Sequence, residues 1–226
     1  MFTKSPHTLF SQDIEVLKHN RLFIDDLIQE GADLHEILNK LHSSGEADSL
    51  EIRINSCGGY VKYGQQLINV MRDKFHERCV TVIDAEASSM AALIFMAGDS
   101  RIIYPHSVLM VHDVSMYMVG KVNETRRQMD TYVPVFTKYF KDLFGDTMSD
   151  TEVDALFSGQ DFWFGAKEMC ERGMADYVIV NGNTTKAGKY LESLENPEPP
   201  KEKKKSKKEK KEKKDKSVVR VEVLDD

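Results

Sequence analysis

Residues 79–98, CVTVIDAEASSMAALIFMAG, join two apolar segments of different periodicity and thereby set the class of fold. The first part, CVTVID (79–84), is a short apolar run typical of a buried strand. The second part, SSMAALIFMAG (88–98), has the length of a short helix and ends at a glycine. Strand patterns alternate with helix patterns on both sides of this segment. The sequence therefore predicts an α/β fold with a largely parallel sheet covered by helices.

Flanking segments supply the remaining elements of the predicted fold. SLEIRINS (49–56) alternates apolar and polar residues, as a half-buried strand does, and leads into the turn residues CGG (57–59). Ser149, followed three residues later by Glu152, is the pattern of a capping box at a helix N-terminus. The predicted strands are 21–27, 49–56, 79–84, 100–105, 107–113 and, as the last of the chain, 174–180; the predicted helices are 33–46, 64–75, 88–98, 120–144, 149–159 and 165–173.

Length and charge divide the chain into three parts. Its 226 residues, 41% of them hydrophobic, suffice for one ordinary domain and an appendage. The run KEKKKSKKEKKEKKDK (201–216) carries a net charge of +7, so that the rest carries −13 and the whole chain −6. We therefore predict an N-terminal segment at 1–20, a globular domain at 21–195 and a disordered Lys-rich tail at 196–226.

The charge distribution also limits the classes of function. An acidic globular part argues against a nucleic-acid-binding core, so nucleic acid is expected to contact the chain through the basic tail if at all. Within the tail, SVVRVEVLDD (217–226) recovers an alternating apolar pattern. It is interpreted either as an unstructured end or as a short strand or docking peptide on a tether.

Cysteine content and hydropathy favour a soluble protein of the reducing cytoplasm. The three cysteines, Cys57, Cys79 and Cys170, are odd in number and form no CxxC pair. The N-terminal sequence MFTKSPHTLFSQDIEV has no apolar core typical of a signal peptide, and no run of about 18 apolar residues is present. We therefore expect a cytoplasmic protein with free thiols that neither spans nor binds a membrane.

Two adjacent serines, Ser88 and Ser89, stand at the predicted junction of strand and helix. The N–H groups of a first helical turn point towards any negative charge that develops there, which suits acyl transfer. A serine at this place is also a common N-cap, which accepts a hydrogen bond from the helix backbone. Both roles are filled if Ser88 caps the helix and Ser89 reacts.

A reactive serine needs a base, and His112 is the best placed of the seven histidines. It ends the apolar run SVLMVH, where a strand delivers a side chain to a sheet edge, whereas His106 follows Pro105 in a turn. Gly58 and Gly59 lie at the carboxyl end of a predicted parallel strand, where open α/β sheets bind ligands. A tight turn and a satisfied, semi-buried histidine are the alternative interpretations of these residues.

Five motifs follow one another along the chain: INSCGG (54–59), ASSMAA (87–92), PHSVLMVH (105–112), DFWFGAKEM (161–169) and GMAD (173–176). In this order they resemble the motifs of ClpP, the proteolytic subunit family of the Clp protease, within the ClpP/crotonase superfamily. With the upstream RLFIDDLIQEGADLHEILNKL, the resemblance covers about residues 21 to 180. It implies a core of repeated ββα units with a largely parallel sheet and a long helix that forms an interface.

The resemblance assigns a role to individual residues. The serine that precedes the methionine is the family's nucleophile, so Ser89 takes that role, His112 becomes the general base and Asp161 matches the aspartate of the triad. Gly59 and Met90 match the backbone donors of the oxyanion hole. The resemblance implies neither a metal nor a cofactor.

Several positions depart from the family pattern, although none removes a catalytic side chain. Asp113 lies directly after His112, so it is an alternative orienting carboxylate. Ser88 stands where alanine is common in the family. The other departures are Cys57 for a proline, Ala91 for a glycine, Met169 in the last part of the fourth motif, and the acidic Asp84 and Glu86 just before the serines.

The resemblance implies a serine endopeptidase that hydrolyses unfolded polypeptides inside a homo-oligomeric chamber of stacked heptameric rings. The segment 120–144 occupies the place of the helix through which rings stack, and a hexameric ATPase is the expected partner. One alternative is a virus-type protease of this family that cleaves scaffold or capsid protein, which the Lys-rich tail would suit. Another is a crotonase-like enzyme or an inactive ring subunit, although crotonases lack a Ser–His–Asp triad.

Overall fold

The computed structural model describes residues 18–25, 28 and 32–196, which form helices around an eight-stranded sheet. The strands are β1 His19–Ile24, β2 Ser49–Ser56, β3 Cys79–Ser88, β4 Ser100–Ile103, β5 Val108–Val111, β6 Phe162–Gly165, β7 Tyr177–Val180 and β8 Asn183–Lys186. The helices are α1 Ala32–His42, α2 Val61–Lys74, α3 Met90–Met96, α4 Val122–Phe144, α5 Asp150–Leu156, α6 Ala166–Glu171 and α7 Ala187–Glu195. The predicted α/β class with a mostly parallel sheet is confirmed.

The sheet runs in the order β1-β2-β3-β4-β7-β8, and β5 and β6 branch from it at β3. Strands β1 to β4 and β7 are parallel, whereas β8 pairs with β7, and β6 with β5, in the antiparallel sense. Along β3, residues 80–83 pair with β4 and residues 86–88 pair with β5. This change of partner carries the end of β3 away from the main sheet and beside β5.

One face of the sheet is covered by packed helices. Side chains alternate between the two faces of a strand, and the apolar ones point to the covered face. Leu50, Ile52 and Ile54 of β2 are fully buried, and they share a core with residues such as Leu67 and Ile68 of α2. Every residue of α3 is buried, because this helix is apolar on all sides. Helix α2 contacts both α1 and α3, and α3 contacts α4.

The opposite face of the same strands carries a network of charged side chains. Arg53 of β2 makes an ion pair with Asp84 of β3 and donates to the hydroxyl of Tyr104 at 3.0 Å. Glu51 accepts from Arg21 of β1 at 3.0 Å. Asp84, one of the two acidic residues just before the serine pair, is thus part of a cross-strand ion pair.

Helix α4 confirms the predicted long helix, and its two ends differ in environment. At the C-terminal end Phe140 and Phe144 are buried, and their rings stack at 4.3 Å. Towards the N-terminal end Val122, Met129 and Val133 are 74%, 49% and 41% exposed. Among the helices of the described residues, none is both long and apolar enough to cross a membrane.

Three elements were absent from the sequence-based prediction: β6, β8 and α7. The strand predicted to be the last, now β7, continues through a turn at Asn181 and Gly182 into β8. Both turn residues have positive φ, 50° and 79°, which is the Asn-Gly signal of a tight hairpin. β3 also extends to Ser88, four residues beyond the predicted 79–84, because its end pairs with β5.

The capping box is present at the start of α5, where the Ser149 hydroxyl accepts from Glu152 N–H and the Glu152 carboxylate accepts from Ser149 N–H. The predictions for residues 1–17 and for the tail beyond Asn196, including its disorder and the pattern at 217–226, lie outside the described residues.

Candidate active site

Ser89 lies in a sharp turn between β3 and α3, in a backbone conformation that side chains rarely adopt. Its φ is 55° and its ψ is −123°, and such a conformation costs about 1–3 kcal/mol. The turn is held on both sides: Ser89 N–H donates to the carbonyl of Met110 at 2.9 Å, and Ser89 C=O accepts from Ala92 N–H at 3.0 Å. A serine on a strained strand-to-helix turn presents its hydroxyl away from the backbone, towards a substrate.

His112 follows the last residue of β5 and reaches the serine. Because β5 runs parallel to the end of β3, the carboxyl ends of both strands lie at one edge. His112 Nε2 lies 2.9 Å from Ser89 Oγ, a hydrogen-bonding distance. The structure therefore brings together two of the residues that the sequence singled out.

The two candidate carboxylates approach His112 in different ways: Asp113 is the next residue in the chain, and Asp161 lies across from His112 on the neighbouring strand side. β5 and β6 pair so that Val111 faces Phe162, and the same register continued by one residue sets His112 opposite Asp161. Neither the exposed Asp161 nor the half-buried Asp113 makes a hydrogen bond to His112 within the described part of the chain, and Asp113 Oδ1 accepts from Val114 N–H at 2.7 Å. The structure thus aligns the Asp161 backbone with the site without joining its carboxylate to the imidazole.

The glycine doublet lies directly against the serine turn. A Cβ on Gly58, whose φ is +107°, would stand 2.7 Å from both the carbonyl oxygen of Ser88 and the Cβ of Ser89. A Cβ on Gly59, whose φ is +145°, would stand 2.2 Å from the carbonyl oxygen of Ile28. Close backbone contacts therefore require glycine at both positions. From the sequence alone, the glycine doublet predicts only a turn.

Two backbone donors at this place are available to a ligand. Neither Gly59 N–H nor Met90 N–H donates to any acceptor in the portion of the chain that the structure describes. The first belongs to the glycine loop and the second to the first residue of α3. Such unpaired N–H groups beside a nucleophile can stabilise an oxyanion.

Ser88 does not cap the helix, so that interpretation of the sequence was wrong. The cap position of α3 is Ser89, which makes no side-chain capping bond. Ser88 is instead the last residue of β3, and its hydroxyl donates to Glu86 Oε1 at 2.5 Å. Residues i and i+2 of a strand share a face, which is why this pair can meet.

A cleft of about 550 Å³ opens beside Ser89 and His112. Its walls are mostly apolar and come from the start of α2, from α3, from the loop after β5 and from α4. Tyr132 and Phe136, four residues apart on one face of α4, belong to this wall. The helical spacing of apolar residues in α4 was visible in the sequence, but which of them would face the site was not.

The three thiols are separate from this machinery. Burial raises the pKa of Cys79 to about 12 and that of Cys170 to about 11, so both stay protonated and unreactive. Cys57 is exposed, next to the glycine doublet. Nowhere in the described ranges do three or more His, Cys, Asp or Glu side chains gather as metal ligands would.

The site joins a strained serine, a histidine within hydrogen-bonding distance and two backbone N–H groups that find no acceptor among the described residues. Serine hydrolases use this arrangement for acyl transfer. The family model for the Clp protease matches residues 9–182. This match spans most of the chain, which therefore belongs to the Clp protease family, a family of peptidases. The family assignment favours the peptidase interpretation over the crotonase-like alternative.

Individual relatives show the same similarity at low identity. The chain is 27% identical over 182 residues to the ATP-dependent Clp protease proteolytic subunit 2 of Chlamydia trachomatis serovar D, which covers 74% of this chain and 87% of the relative. It is 29% identical over 181 residues to the proteolytic subunit of Ostreococcus tauri, with coverage of 74% and 88%. It is 28% identical over 150 residues to that of Chlorella vulgaris, with coverage of 64% and 73%.

Proposed function

We propose that this protein is a serine endopeptidase in which Ser89 is the nucleophile and His112 the general base. The observation that carries the proposal is the 2.9 Å distance between Ser89 Oγ and His112 Nε2 at the mouth of an apolar cleft. A base within this distance can remove the hydroxyl proton as the oxygen attacks. Membership of the Clp protease family supports the same chemistry.

The reaction proceeds in two halves. In the first, Ser89 Oγ attacks the scissile carbonyl carbon, His112 Nε2 takes the hydroxyl proton, and the carbonyl oxygen becomes an oxyanion that accepts from Gly59 N–H and Met90 N–H. The C–N bond then breaks as His112 gives the proton to the leaving amine, which leaves an acyl-enzyme. In the second half a water molecule, deprotonated by His112, attacks the ester carbonyl. The bond from that carbon to Ser89 Oγ then breaks as His112 gives the proton to Oγ, and the carboxylic acid product leaves.

Asp161 is assigned the role of orienting His112. The β5–β6 register that sets the two backbones opposite each other supports this assignment. A carboxylate there accepts from Nδ1–H, fixes the tautomer in which Nε2 is the base and stabilises the imidazolium. Catalytic hydrogen bonds are commonly long in a free enzyme and tighten only when substrate binds.

The proposed substrate is an unfolded polypeptide, bound in an extended conformation. The mostly apolar cleft beside Ser89 would accept an apolar side chain next to the scissile bond. The relatives are named proteolytic subunits of an ATP-dependent protease, which supports a hexameric ATPase that delivers substrate. Scaffold or capsid protein is the alternative substrate, and it rests on the Lys-rich tail.

The proposed assembly is a chamber of stacked homo-oligomeric rings, heptameric as in the family. Its support in this chain is the apolar stripe of α4, defined as Val122, Met129 and Val133 together with Phe136 and Phe140 on the same face. The stripe begins in the buried core and continues onto the exposed half of the helix. Isolated exposed apolar residues are ordinary, but a stripe continuous with the core is typical of a helix that contacts another subunit.

The test measures hydrolysis of an unfolded protein or a fluorogenic peptide by the purified 226-residue chain, with and without the substitution Ser89→Ala. We expect Ser89→Ala to lower kcat by at least about 10³-fold, because the nucleophile is lost. Ser158→Ala, which removes an exposed hydroxyl in the turn after α5, is the matched control and should leave kcat unchanged. Equal hydrolysis by the Ser89→Ala variant and the unsubstituted chain would refute the assignment.

A further inference from the structure

Two residues that the catalytic mechanism does not use, Glu86 and Ser88, are bonded to each other immediately before the nucleophile. The Ser88 hydroxyl donates to Glu86 Oε1 at 2.5 Å. Ser88 is 1% exposed, and Glu86 is half-buried. The sequence resemblance described above marks both positions as departures from the family pattern.

The pair lies on the part of β3 that holds the serine turn in place. Glu86 and Ser88 pair with Val108 and Met110 of β5, and the next residue, Ser89, extends this ladder with its bond to the carbonyl of Met110. The carbonyl of Ser88 also abuts Gly58, where there is no room for a Cβ. A rotation of Ser88 would therefore move the glycine doublet and Ser89 together.

A hydrogen bond to a carboxylate is stronger than one between neutral groups, and an i,i+2 bond along one strand face restricts the end of that strand. Ser89 has a strained φ of 55°, which persists only when the surrounding structure holds it in place. A restricted strand end immediately before Ser89 helps to hold that conformation. Asp84, the acidic residue two positions before Glu86, is held by Arg53 rather than by a neighbour in its own strand.

We propose that Glu86 and Ser88 act together as positioning residues, which hold the end of β3 so that Ser89 Oγ stays within reach of His112 Nε2. The inference rests on the proposed function, since it assigns the pair to the same reaction. The Glu86 carboxylate fixes the Ser88 hydroxyl, the fixed Ser88 fixes the direction of the backbone into Ser89, and neither side chain contacts substrate.

The test uses the full chain and four single or double variants: Glu86→Ala, Ser88→Ala, the two combined, and Glu86→Gln, which keeps an acceptor oxygen. We expect each loss variant to lower kcat about tenfold with KM within about twofold, because alignment for attack is lost while the cleft is kept. The rate of inactivation by a fluorophosphonate should fall in parallel with kcat. Asp84→Asn, which changes the acidic residue two positions before Glu86, is the matched control and should keep both rates.

The double variant should be no slower than either single variant, because the two side chains act through one bond. Glu86→Gln should recover most of the rate, whereas a merely structural effect would follow the melting temperature and would appear equally in Asp84→Asn. Unchanged kcat in Glu86→Ala and Ser88→Ala, with the unsubstituted chain active, overturns this inference alone. An unsubstituted chain that neither hydrolyses peptide nor reacts at Ser89 overturns the proposed function and this inference with it.

Discussion

At the scale of single residues, the candidate site depends on a strained serine and on a glycine that makes room for it. Ser89 has a positive φ, and the Cα of Gly58 lies where any side chain would collide with the serine turn. Neither fact can be derived from local sequence, which offers only a glycine doublet and a serine pair. The nucleophile was assigned from the methionine that follows it, and the structure adds the contact with His112.

Gly58→Ala tests whether this close contact matters. We expect it to lower the free energy of unfolding by about 2–4 kcal/mol, from the collision and the positive φ, and to remove hydrolysis. Gly188→Ala in α7, where a Cβ would meet nothing within 4 Å, is the control and should raise stability by about 0.5–1 kcal/mol. Urea unfolding measures both, and an unchanged midpoint for Gly58→Ala would contradict the close contact.

The choice between Asp161 and Asp113 also belongs to this scale. Loss of the orienting carboxylate leaves His112 in the wrong tautomer for part of the time, so we expect Asp161→Asn to lower kcat by about 10²–10⁴-fold with little change in KM. Asp113→Asn should have a much smaller effect, since its carboxylate already accepts from the backbone of Val114. Steady-state kinetics of the two variants decides, and the reverse ranking would transfer the role to Asp113.

At the scale of elements, most patterns that report burial predicted the right element, whereas helix α7 and the strands that depend on pairing with a neighbour were missed. β2 and the long helix α4 followed directly from periodicity. The polar β8 and the short β6 are strands only because β7 and β5 pair with them. The hydrogen bond between Glu86 and Ser88 likewise could not be predicted from the sequence. It depends on β3 extending to Ser88, so that the two side chains lie next to each other.

Glu152, in the capping box of α5, should make the stability of the fold depend on pH. The side-chain hydrogen bond from Arg172, followed by that from the backbone N–H of Ser149, lowers the pKa of Glu152 from its usual value near 4.5 to about 2. Because the folded pKa is lowered, this stabilisation is present above about pH 4.5 and is lost as the pH falls through about 2.

Glu152→Gln should therefore lower stability at pH 7 by about 1 kcal/mol and flatten the loss of stability between pH 5 and pH 2. Urea unfolding across this pH range is the measurement. Asp154→Asn, an exposed acid in the same helix, is the control and should leave stability within about 0.5 kcal/mol. An unaltered pH dependence in Glu152→Gln would mean that the ion pair with Arg172 contributes nothing.

At the scale of the whole molecule, the apolar stripe of α4 predicts assembly. A helix that leaves the core while keeping an apolar face exposes surface that a second subunit can bury. We expect Met129→Glu combined with Val133→Glu to dissociate the oligomer without unfolding the domain, because the two residues are already 49% and 41% exposed. Sedimentation velocity measures this, with Thr131→Glu on the opposite face of α4 as the control. Unaltered sedimentation of the double variant, or a monomeric unsubstituted chain, would contradict the assembly.

The central claim concerns the chemistry of one hydroxyl, and covalent labelling tests it most directly. The 226-residue chain should react with a fluorophosphonate, and mass spectrometry of its peptides should place the adduct on Ser89 alone, with Ser88 unmodified. His112→Ala should abolish the labelling, because the hydroxyl then has no base. An unlabelled chain, an adduct on another serine, or labelling of Ser89 that persists without His112 would contradict the account.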